Sequence, residues 1–226
     1  MASKRKPEKA SKKAAVLLVD DHPIVRQGMS QLLNRESDMM VCGEAESAHQ
    51  ALSMLKTIKP DIAILDVSLQ DRSGIELLKD ILIRFPTLPV LILSMHHESL
   101  YAERALHAGA KGYIMKHEAP DKVLEAIRTI LRGEVYVSEK MTAKMLLTLS
   151  DRRSSKGESF IERLSDRELE VFRFIGKGFS SSEIAEQLCI SIKTIETHRK
   201  HIKYKLKLTN KGDFLRFAVE WGVENR

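Results

Sequence analysis

The sequence contains little cysteine and no long apolar run. Its 226 residues include two cysteines, Cys42 and Cys189, which fall in different predicted domains and so predict no disulfide framework. Because the N-terminal residues also lack an apolar signal core, we expect a protein of the reducing cytoplasm. No stretch approaches the roughly 18 apolar residues that a membrane helix needs, so we expect no membrane partner.

Charge is spread unevenly along the chain, although the net value is +6. Residues 1–13 carry six basic side chains and one acidic side chain, and they are too polar to bury a core. Residues 14–135 carry 13 basic and 17 acidic side chains, whereas residues 136–226 carry 18 and 13. An acidic first half suits a bound cation, and a basic second half suits a polyanion such as DNA.

Five short apolar runs alternate with five amphipathic segments of helical length in the first half. Runs rich in Val, Ile and Leu that alternate with such helices are typical of buried parallel strands with crossover helices. The pattern therefore predicts an α/β doubly wound, parallel, five-stranded domain. The predicted strands cover about 15–20, 39–43, 61–66, 89–94 and 112–115, and the helices about 23–34, 47–57, 74–84, 98–108 and 120–131.

Polar side chains stand where four of these strands end. They are Asp20 and Asp21 after the first strand, Asp66 at the third, Ser94 at the fourth and Lys116 at the fifth. Since the carboxyl ends of parallel strands open at one edge of the sheet, we expect them to share a pocket. Three carboxylates, a hydroxyl and an ammonium suit Mg²⁺-dependent phosphorylation of an aspartate.

The second half predicts four helices and no convincing strand. Capping boxes that begin at Ser165 and at Ser180 predict the starts of the first two helices. After a tight turn, Ser191 is predicted to cap a longer basic helix over residues 192–206. A short helix, a brief turn and a longer basic helix form the helix-turn-helix pattern of DNA-binding proteins.

The longer helix has one apolar face and one polar face. Ile195, Ile202 and Leu206 recur at helical spacing and are predicted to face the core. Taken alone, the opposite arc is consistent either with a solvated face or with a DNA-reading face. It consists of Lys193, Glu196, Thr197, Lys200 and Lys203.

The strand-end residues resemble the receiver domain of two-component response regulators over roughly the first 135 residues. This resemblance implies that Asp66 is the phosphoacceptor, phosphorylated by a sensor histidine kinase. It also implies that Asp21 and Asp66 bind Mg²⁺ directly and that Asp20 binds it through water. The backbone carbonyl of Ser68 would complete the protein ligands.

The same resemblance assigns the groups that contact the phosphoryl group. Lys116 would pair with one phosphoryl oxygen and Ser94 with another, and Tyr113 is the aromatic residue that moves with Ser94. Two positions depart from the usual pattern: Gln70 replaces a common proline, and Met95 replaces a small residue. Neither change removes a reacting group, so they bear on the rate of phosphorylation rather than on its chemistry.

The second half closely resembles the DNA-binding domain of the LuxR family, in segments 165–171, 183–186 and 191–199. A receiver joined to such a domain is typical of the NarL/FixJ subfamily of response regulators. By this resemblance the last helix contributes to a homodimer on double-stranded DNA. It also implies base contacts by Glu196, Thr197 and Lys200 and phosphate contacts by Lys193, Thr194 and Lys203.

We therefore predict a phosphorylation-dependent, DNA-binding transcription regulator rather than an enzyme. Hydrolases of the haloacid dehalogenase type also phosphorylate an aspartate, but they need a second aspartate where this chain has Ser68. A third hypothesis, besides the regulator and the hydrolase, is a phosphorylation-independent regulator that uses its receiver for dimerisation. The predicted domains are a disordered basic tail (1–14), the receiver (15–135), a linker with one helix (136–159) and the LuxR-type domain (160–226).

Overall fold

The computed structural model describes residues 13–95, 98–150, 160–208 and 210–224. Most of the predicted tail and the polar segment 151–159 of the predicted linker lie outside these residues. The strands are β1 Ala14–Val19, β2 Met39–Ala45, β3 Ile62–Asp66, β4 Val90–Ser94 and β5 Gly112–Met115. The first six helices are α1 Pro23–Arg35, α2 Ala48–Met54, α3 Gly74–Arg84, α4 Glu98–His107, α5 Pro120–Leu131 and α6 Glu139–Ser150. A 3₁₀ turn at Phe160–Arg163 precedes α7 Asp166–Gly176, α8 Ser181–Gln187, α9 Ile192–Lys205 and α10 Lys211–Glu224.

The five strands form one parallel sheet in the order β2-β1-β3-β4-β5. This arrangement confirms the predicted fold class. β1 begins at Ala14, the last residue of the predicted tail, because the Ala14 backbone amide donates to the Asp38 carbonyl at 2.8 Å. Every strand runs in the same direction, so all five carboxyl ends lie at one edge.

Alternating residues of each strand fill two separate apolar layers. In β1, Leu17 and Val19 pack on the side of α2, α3 and α4, whereas Val16 and Leu18 pack on the side of α1 and α5. Side chains point alternately to opposite faces of a strand, and here both faces are covered by helices. The central strands are therefore buried along their length, which holds their carboxyl ends in fixed positions.

The segment after α5 stays attached to the receiver. The Tyr136 amide donates to the Lys111 carbonyl at 2.9 Å, and the Tyr136 carbonyl accepts from the Tyr113 amide at 3.1 Å. In α6, Met141 is buried, and the Ser138 amide donates to the Glu98 carboxylate of α4 at 3.1 Å. The first part of the predicted linker is thus packed on the receiver.

The second half is a small helical domain around Phe172 of α7. The Phe172 ring lies 6.0 Å from the ring of Phe214, 6.0 Å from that of Phe217 and 5.4 Å from that of Trp221. Both predicted capping boxes are present, and the Ser191 side chain accepts from the Thr194 amide at the start of α9. Among the described residues, no helix is long and apolar enough to cross a membrane.

Candidate phosphoacceptor site and recognition helix

The predicted pocket forms at the carboxyl edge of the sheet. Lys116, just after β5, places its Nζ 2.6 Å from Asp20 Oδ2 and 2.7 Å from Asp66 Oδ2. All three side chains are buried, and they come from the carboxyl ends of β1, β3 and β5. The ammonium therefore lies between two carboxylates that the chain separates by 46 residues.

Asp20, Asp21 and Asp66 lie close enough together to share a cation. Each offers a carboxylate oxygen, and together with a ring nitrogen of His22 these atoms all lie within 4.8 Å of one another. Asp20 is oriented by its backbone, since the His22 amide donates to its Oδ1 at 2.9 Å. Carboxylate oxygens are the donors that Mg²⁺ prefers, so this set fits a magnesium ion. The His22 Nδ1 lies 2.7 Å from Asp21 Oδ1, so the imidazole contacts that carboxylate.

Burial sets the electrostatics of the pocket. It raises the pKa of Asp66 to about 6; Asp20 adds to this effect, and Lys116 opposes it. Burial also lowers the pKa of Lys116, but the Asp66 and Asp20 carboxylates outweigh it and hold that pKa above its ordinary value. Lys116 therefore stays charged. A further positive charge beside Asp66 would favour the ionised form of that carboxylate.

The loop after Asp66 needs a glycine at the start of α3. The Gly74 amide donates to the Val67 carbonyl at 2.7 Å, which folds the loop back on itself. A Cβ placed at Gly74 would stand 1.8 Å from the Asp66 carbonyl oxygen. Since no side chain can occupy that space, Gly74 fixes how Asp66 and Ser68 are presented to the pocket.

Ser94 and Tyr113 lie together beneath the pocket. Ser94 is the last residue of β4 and is fully buried, and Tyr113 of β5 is 1% exposed. Burial raises the pKa of Tyr113, and a side-chain hydrogen bond with Ser94 partly offsets the increase. Tyr113 is therefore a neutral phenol turned inward and bonded to the hydroxyl that was predicted to switch with it.

The helical domain touches the receiver through a polar stripe on α7, formed by Asp166, Glu170 and Arg173. These residues are spaced i, i+4 and i+7, so they share one face of the helix. Ser68 follows Asp66 by two residues in the chain, and its Oγ donates to Glu170 Oε1 at 3.1 Å. Glu170 Oε2 accepts from Arg167 NH1 at 2.7 Å, so its buried charge is paired within α7.

Arg104 of α4 anchors the start of the α7 stripe. Its guanidinium donates to the carbonyls of Ile161 and Leu164 at 2.7 and 2.8 Å and to Asp166 Oδ1 at 3.3 Å. The Lys79 Nζ of α3 adds a longer pair with Asp166 at 3.7 Å. Two receiver helices thus hold the segment that leads into α7.

Arg173 completes the contact at the other end of the stripe. Its guanidinium carbon lies 5.6 Å from the ring centroid of Tyr101 on α4, a geometry suited to a cation–π contact. Tyr101 is 1% exposed and joins the same apolar cluster as Tyr113. Packed side chains therefore lead from the candidate phosphoacceptor pocket to α7.

The predicted DNA-reading face of α9 is open to solvent. Ile195 and Ile202 are fully buried, as predicted, and within the described ranges no receiver residue covers the four exposed positions of the opposite arc. Lys203 differs from the other basic residues, because it is half-buried with its Nζ 5.4 Å from the Phe214 ring centroid. The exposed members of the arc are Lys193, Glu196, Thr197 and Lys200, and the neighbouring Thr194 is exposed as well.

Sequence reasoning missed His22, Gly74 and the α7 stripe. The stripe carries a detectable signal: Asp166, Glu170 and Arg173 are charged residues on one face of a helix whose opposite face is apolar. Such a pattern equally describes a solvated helix face, and only the packing against the receiver distinguishes the two. Gly74 carried no local signal, because its requirement comes from the Asp66 carbonyl.

Comparison with known proteins agrees with both halves. The response regulator receiver domain model matches residues 16–128, and that of the bacterial regulatory proteins of the luxR family matches residues 162–218. The oxygen regulatory protein NreC of Staphylococcus aureus (strain MRSA252) is 36% identical over 209 residues, which cover 91% of this chain and 96% of NreC.

Two solved structures are also similar. RcsB from Salmonella enterica serovar Typhimurium, bound to promoter rprA in the presence of phosphomimetic BeF₃⁻, is 28% identical with a TM-score of 0.60, covering 92% of this chain and 99% of that one. A LuxR-family two-component response regulator from Aurantimonas sp. SI85-9A1 is 34% identical with a TM-score of 0.58, covering 62% of this chain and all of that one. This chain belongs to the NarL/FixJ subfamily of two-component response regulators, and it is a DNA-binding transcription regulator rather than an enzyme.

Proposed function

We propose that Asp66 accepts a phosphoryl group from a sensor histidine kinase and that this modification promotes dimeric DNA binding. A carboxylate oxygen of Asp66 attacks phosphorus, the bond from phosphorus to the kinase histidine nitrogen breaks, and that nitrogen keeps the electron pair. The observation that carries this proposal is the buried contact of Lys116 with both Asp20 and Asp66 at one sheet edge.

The charges of this pocket suit the transfer. Mg²⁺, held by Asp21, Asp66 and the Ser68 carbonyl and through water by Asp20, would neutralise charge on the phosphoryl oxygens. Lys116 holds a second positive charge within hydrogen-bond distance of the nucleophile, where it can pair with a phosphoryl oxygen. Both charges oppose the repulsion between an incoming phosphoryl group and an aspartate.

Coupling to the DNA-binding domain runs through residues already in contact. A phosphoryl oxygen that takes the Ser94 hydroxyl removes the hydrogen bond that Tyr113 now makes with it. Tyr113 shares an apolar cluster with Tyr101, and Tyr101 lies under Arg173 of α7. We infer that phosphorylation weakens the hold of the receiver on α7 and frees the second domain to pair with another copy.

DNA binding as a dimer is supported by the outer face of α10. Leu215 and Val219, spaced i and i+4, are 49% and 41% exposed, so they form an apolar strip on this helix. A solved complex named for two RcsB dimers bound to two parallel DNAs is 29% identical to this chain with a TM-score of 0.56. One helix-turn-helix makes few base contacts, so two copies on half-sites about one DNA turn apart supply selectivity.

A phosphorylation-independent regulator is the second candidate. It is favoured by the exposure of Lys193, Glu196 and Lys200, since the receiver leaves the reading face of α9 uncovered. Under this alternative the receiver serves as a dimerisation surface. The two candidates differ in whether DNA affinity changes when Asp66 is modified.

Incubation with acetyl phosphate and Mg²⁺, followed by a phosphate-affinity gel and a DNA titration, tests the proposal. The native chain should be retarded on the gel and bind its operator more tightly after treatment, and Asp66→Ala should do neither. Asp80→Ala is the matched control, because Asp80 forms a surface pair with Arg72 on α3. Retardation of Asp66→Ala would overturn the site, whereas retardation of the native chain with unchanged DNA affinity would favour the second candidate.

A further inference from the structure

The carboxylate of Glu196 on the recognition helix α9 is held in place by its neighbours. Ser181 Oγ, at the first residue of α8, donates to Glu196 Oε1 at 2.5 Å. Arg199 NH1 donates to the same Ser181 hydroxyl at 3.2 Å, and Arg199 Nε lies 3.9 Å from Glu196 Oε1. The carboxylate is therefore bonded within a small network, although about half of the Glu196 side chain is exposed.

The network is anchored in the core of the domain. The Arg199 side chain is 17% exposed, and its guanidinium carbon lies 5.8 Å from the ring centroid of Phe214 on α10. Glu196 is thus held by Ser181 of α8 and Arg199 of α9, and Arg199 in turn lies against Phe214 of α10. A side chain fixed before binding loses less conformational freedom when it contacts a ligand.

A carboxylate facing the major groove can only accept hydrogen bonds. Guanine and thymine offer acceptors there, whereas cytosine offers its N4 amino group and adenine its N6 amino group. At adenine the N6 donor stands beside the N7 acceptor, which repels a carboxylate, so cytosine is the favoured partner. The basic side chains of α9 attract the acceptor atoms of guanine and the phosphate groups. The negatively charged carboxylate of Glu196 repels both.

We propose that Glu196 selects a cytosine at one base pair of each half-site and that Ser181 is its positioning residue. This inference rests on the proposed function, in which α9 enters the major groove. Ser181 lies on α8 and turns the recognition carboxylate from a mobile side chain into an oriented acceptor. The identity of the preferred base is thereby set by contacts among three helices.

Selection of binding sites from a randomised duplex pool by the full-length chain tests the proposal. The native chain should require cytosine at one position of each half-site. Glu196→Gln should change that preference to adenine, because an amide bonds both N6 and N7, and the ratio of cytosine to adenine should fall about tenfold or more. Ser181→Ala should keep the cytosine preference but reduce it severalfold, with an unchanged circular dichroism spectrum.

Glu186→Gln serves as the matched control, because Glu186 is an exposed carboxylate on α8 outside this network, and it should select the same sites as the native chain. If Glu196→Gln selects the native sites, Glu196 only ties α9 to α8 and the inference is overturned while the proposed function stands. If the native chain selects no sequence at all, the proposed function itself fails. The two failures are therefore distinguishable in one experiment.

Discussion

The hydroxyl of Ser68 donates to the carboxylate of Glu170 at 3.1 Å and so joins the loop after Asp66 to the DNA-binding domain. Ser68 follows Asp66 by two residues, and its backbone amide bonds the Asp66 carboxylate. One residue therefore contacts both the proposed nucleophile and the helix α7 that supports the recognition helix. This relationship suggests how a change at Asp66 reaches a domain about a hundred residues away in the chain.

We expect Ser68→Ala to weaken the docking of the two domains without disturbing either fold. A hydrogen bond to a charged group contributes about 1.5–3 kcal/mol, so the docking equilibrium should shift about tenfold or more. The single tryptophan, Trp221, can donate energy to an acceptor dye on Ile83→Cys, an exposed α3 position, in a Cys42→Ser, Cys189→Ser background. Energy transfer should fall in Ser68→Ala.

Ser68→Ala is preferred to a change at Glu170, since removing that carboxylate would leave Arg167 buried without its ion pair. The control is Ser53→Ala, which alters an exposed serine on α2 and should leave energy transfer unchanged. Equal transfer in Ser68→Ala and Ser53→Ala would show that this hydrogen bond does not hold the domains together.

Ser94→Ala should still be phosphorylated but should lose most of the resulting gain in DNA affinity. Shifting a two-state population from 1:99 to 99:1 takes about 5.5 kcal/mol, which two or three charge-assisted hydrogen bonds can supply. Ser94 supplies one of these and is the hydroxyl bonded to Tyr113. DNA titrations with and without acetyl phosphate measure the gain. Ser94→Thr keeps the hydroxyl and should respond normally, and a normal response from Ser94→Ala would refute the coupling.

Gly74→Ala should destabilise the receiver and reduce phosphorylation of Asp66. A Cβ at this position would lie 1.8 Å from the Asp66 carbonyl oxygen, so the loop must move, at about 1–3 kcal/mol. Thermal unfolding and gel retardation measure the two effects. Gly28→Ala is a matched control in α1, where a Cβ meets no atom within 4 Å, and it should leave stability equal or slightly higher. If Gly74→Ala is phosphorylated as the native chain is, the loop conformation that Gly74 fixes is not required for phosphorylation of Asp66.

Lys200→Ala and Lys193→Ala should differ in how they weaken DNA binding. Lys200 is assigned to a base edge, so its loss should reduce discrimination by about 1–3 kcal/mol at particular base pairs. Lys193 and Lys203 are assigned to phosphates, so their loss should weaken all duplexes alike and lower the salt slope by about one each. Titrations against specific and scrambled duplexes at several salt concentrations distinguish these. If Lys200→Ala weakens binding to both duplexes equally, Lys200 contacts a phosphate and not a base.

Sequence by itself determined the elements and their order. The apolar runs and helical spacing that predicted the five strands and the second-half helices are local signals, and so are the serines that cap α7, α8 and α9. The meeting of Asp20, Asp66 and Lys116 also followed from sequence, because parallel strands must end at one edge. Each of these predictions depends on the position of residues along a single strand or helix.

Tertiary structure decided the contacts between elements. Glu170 has the sequence features of a solvated helix residue, and the packing of α7 on the receiver places it against Ser68. Glu196 belongs to the arc predicted to read DNA, and its orientation depends on Ser181 of another helix. Such polar contacts leave no periodic pattern, since a charged side chain looks alike in sequence whether it faces water or a second domain.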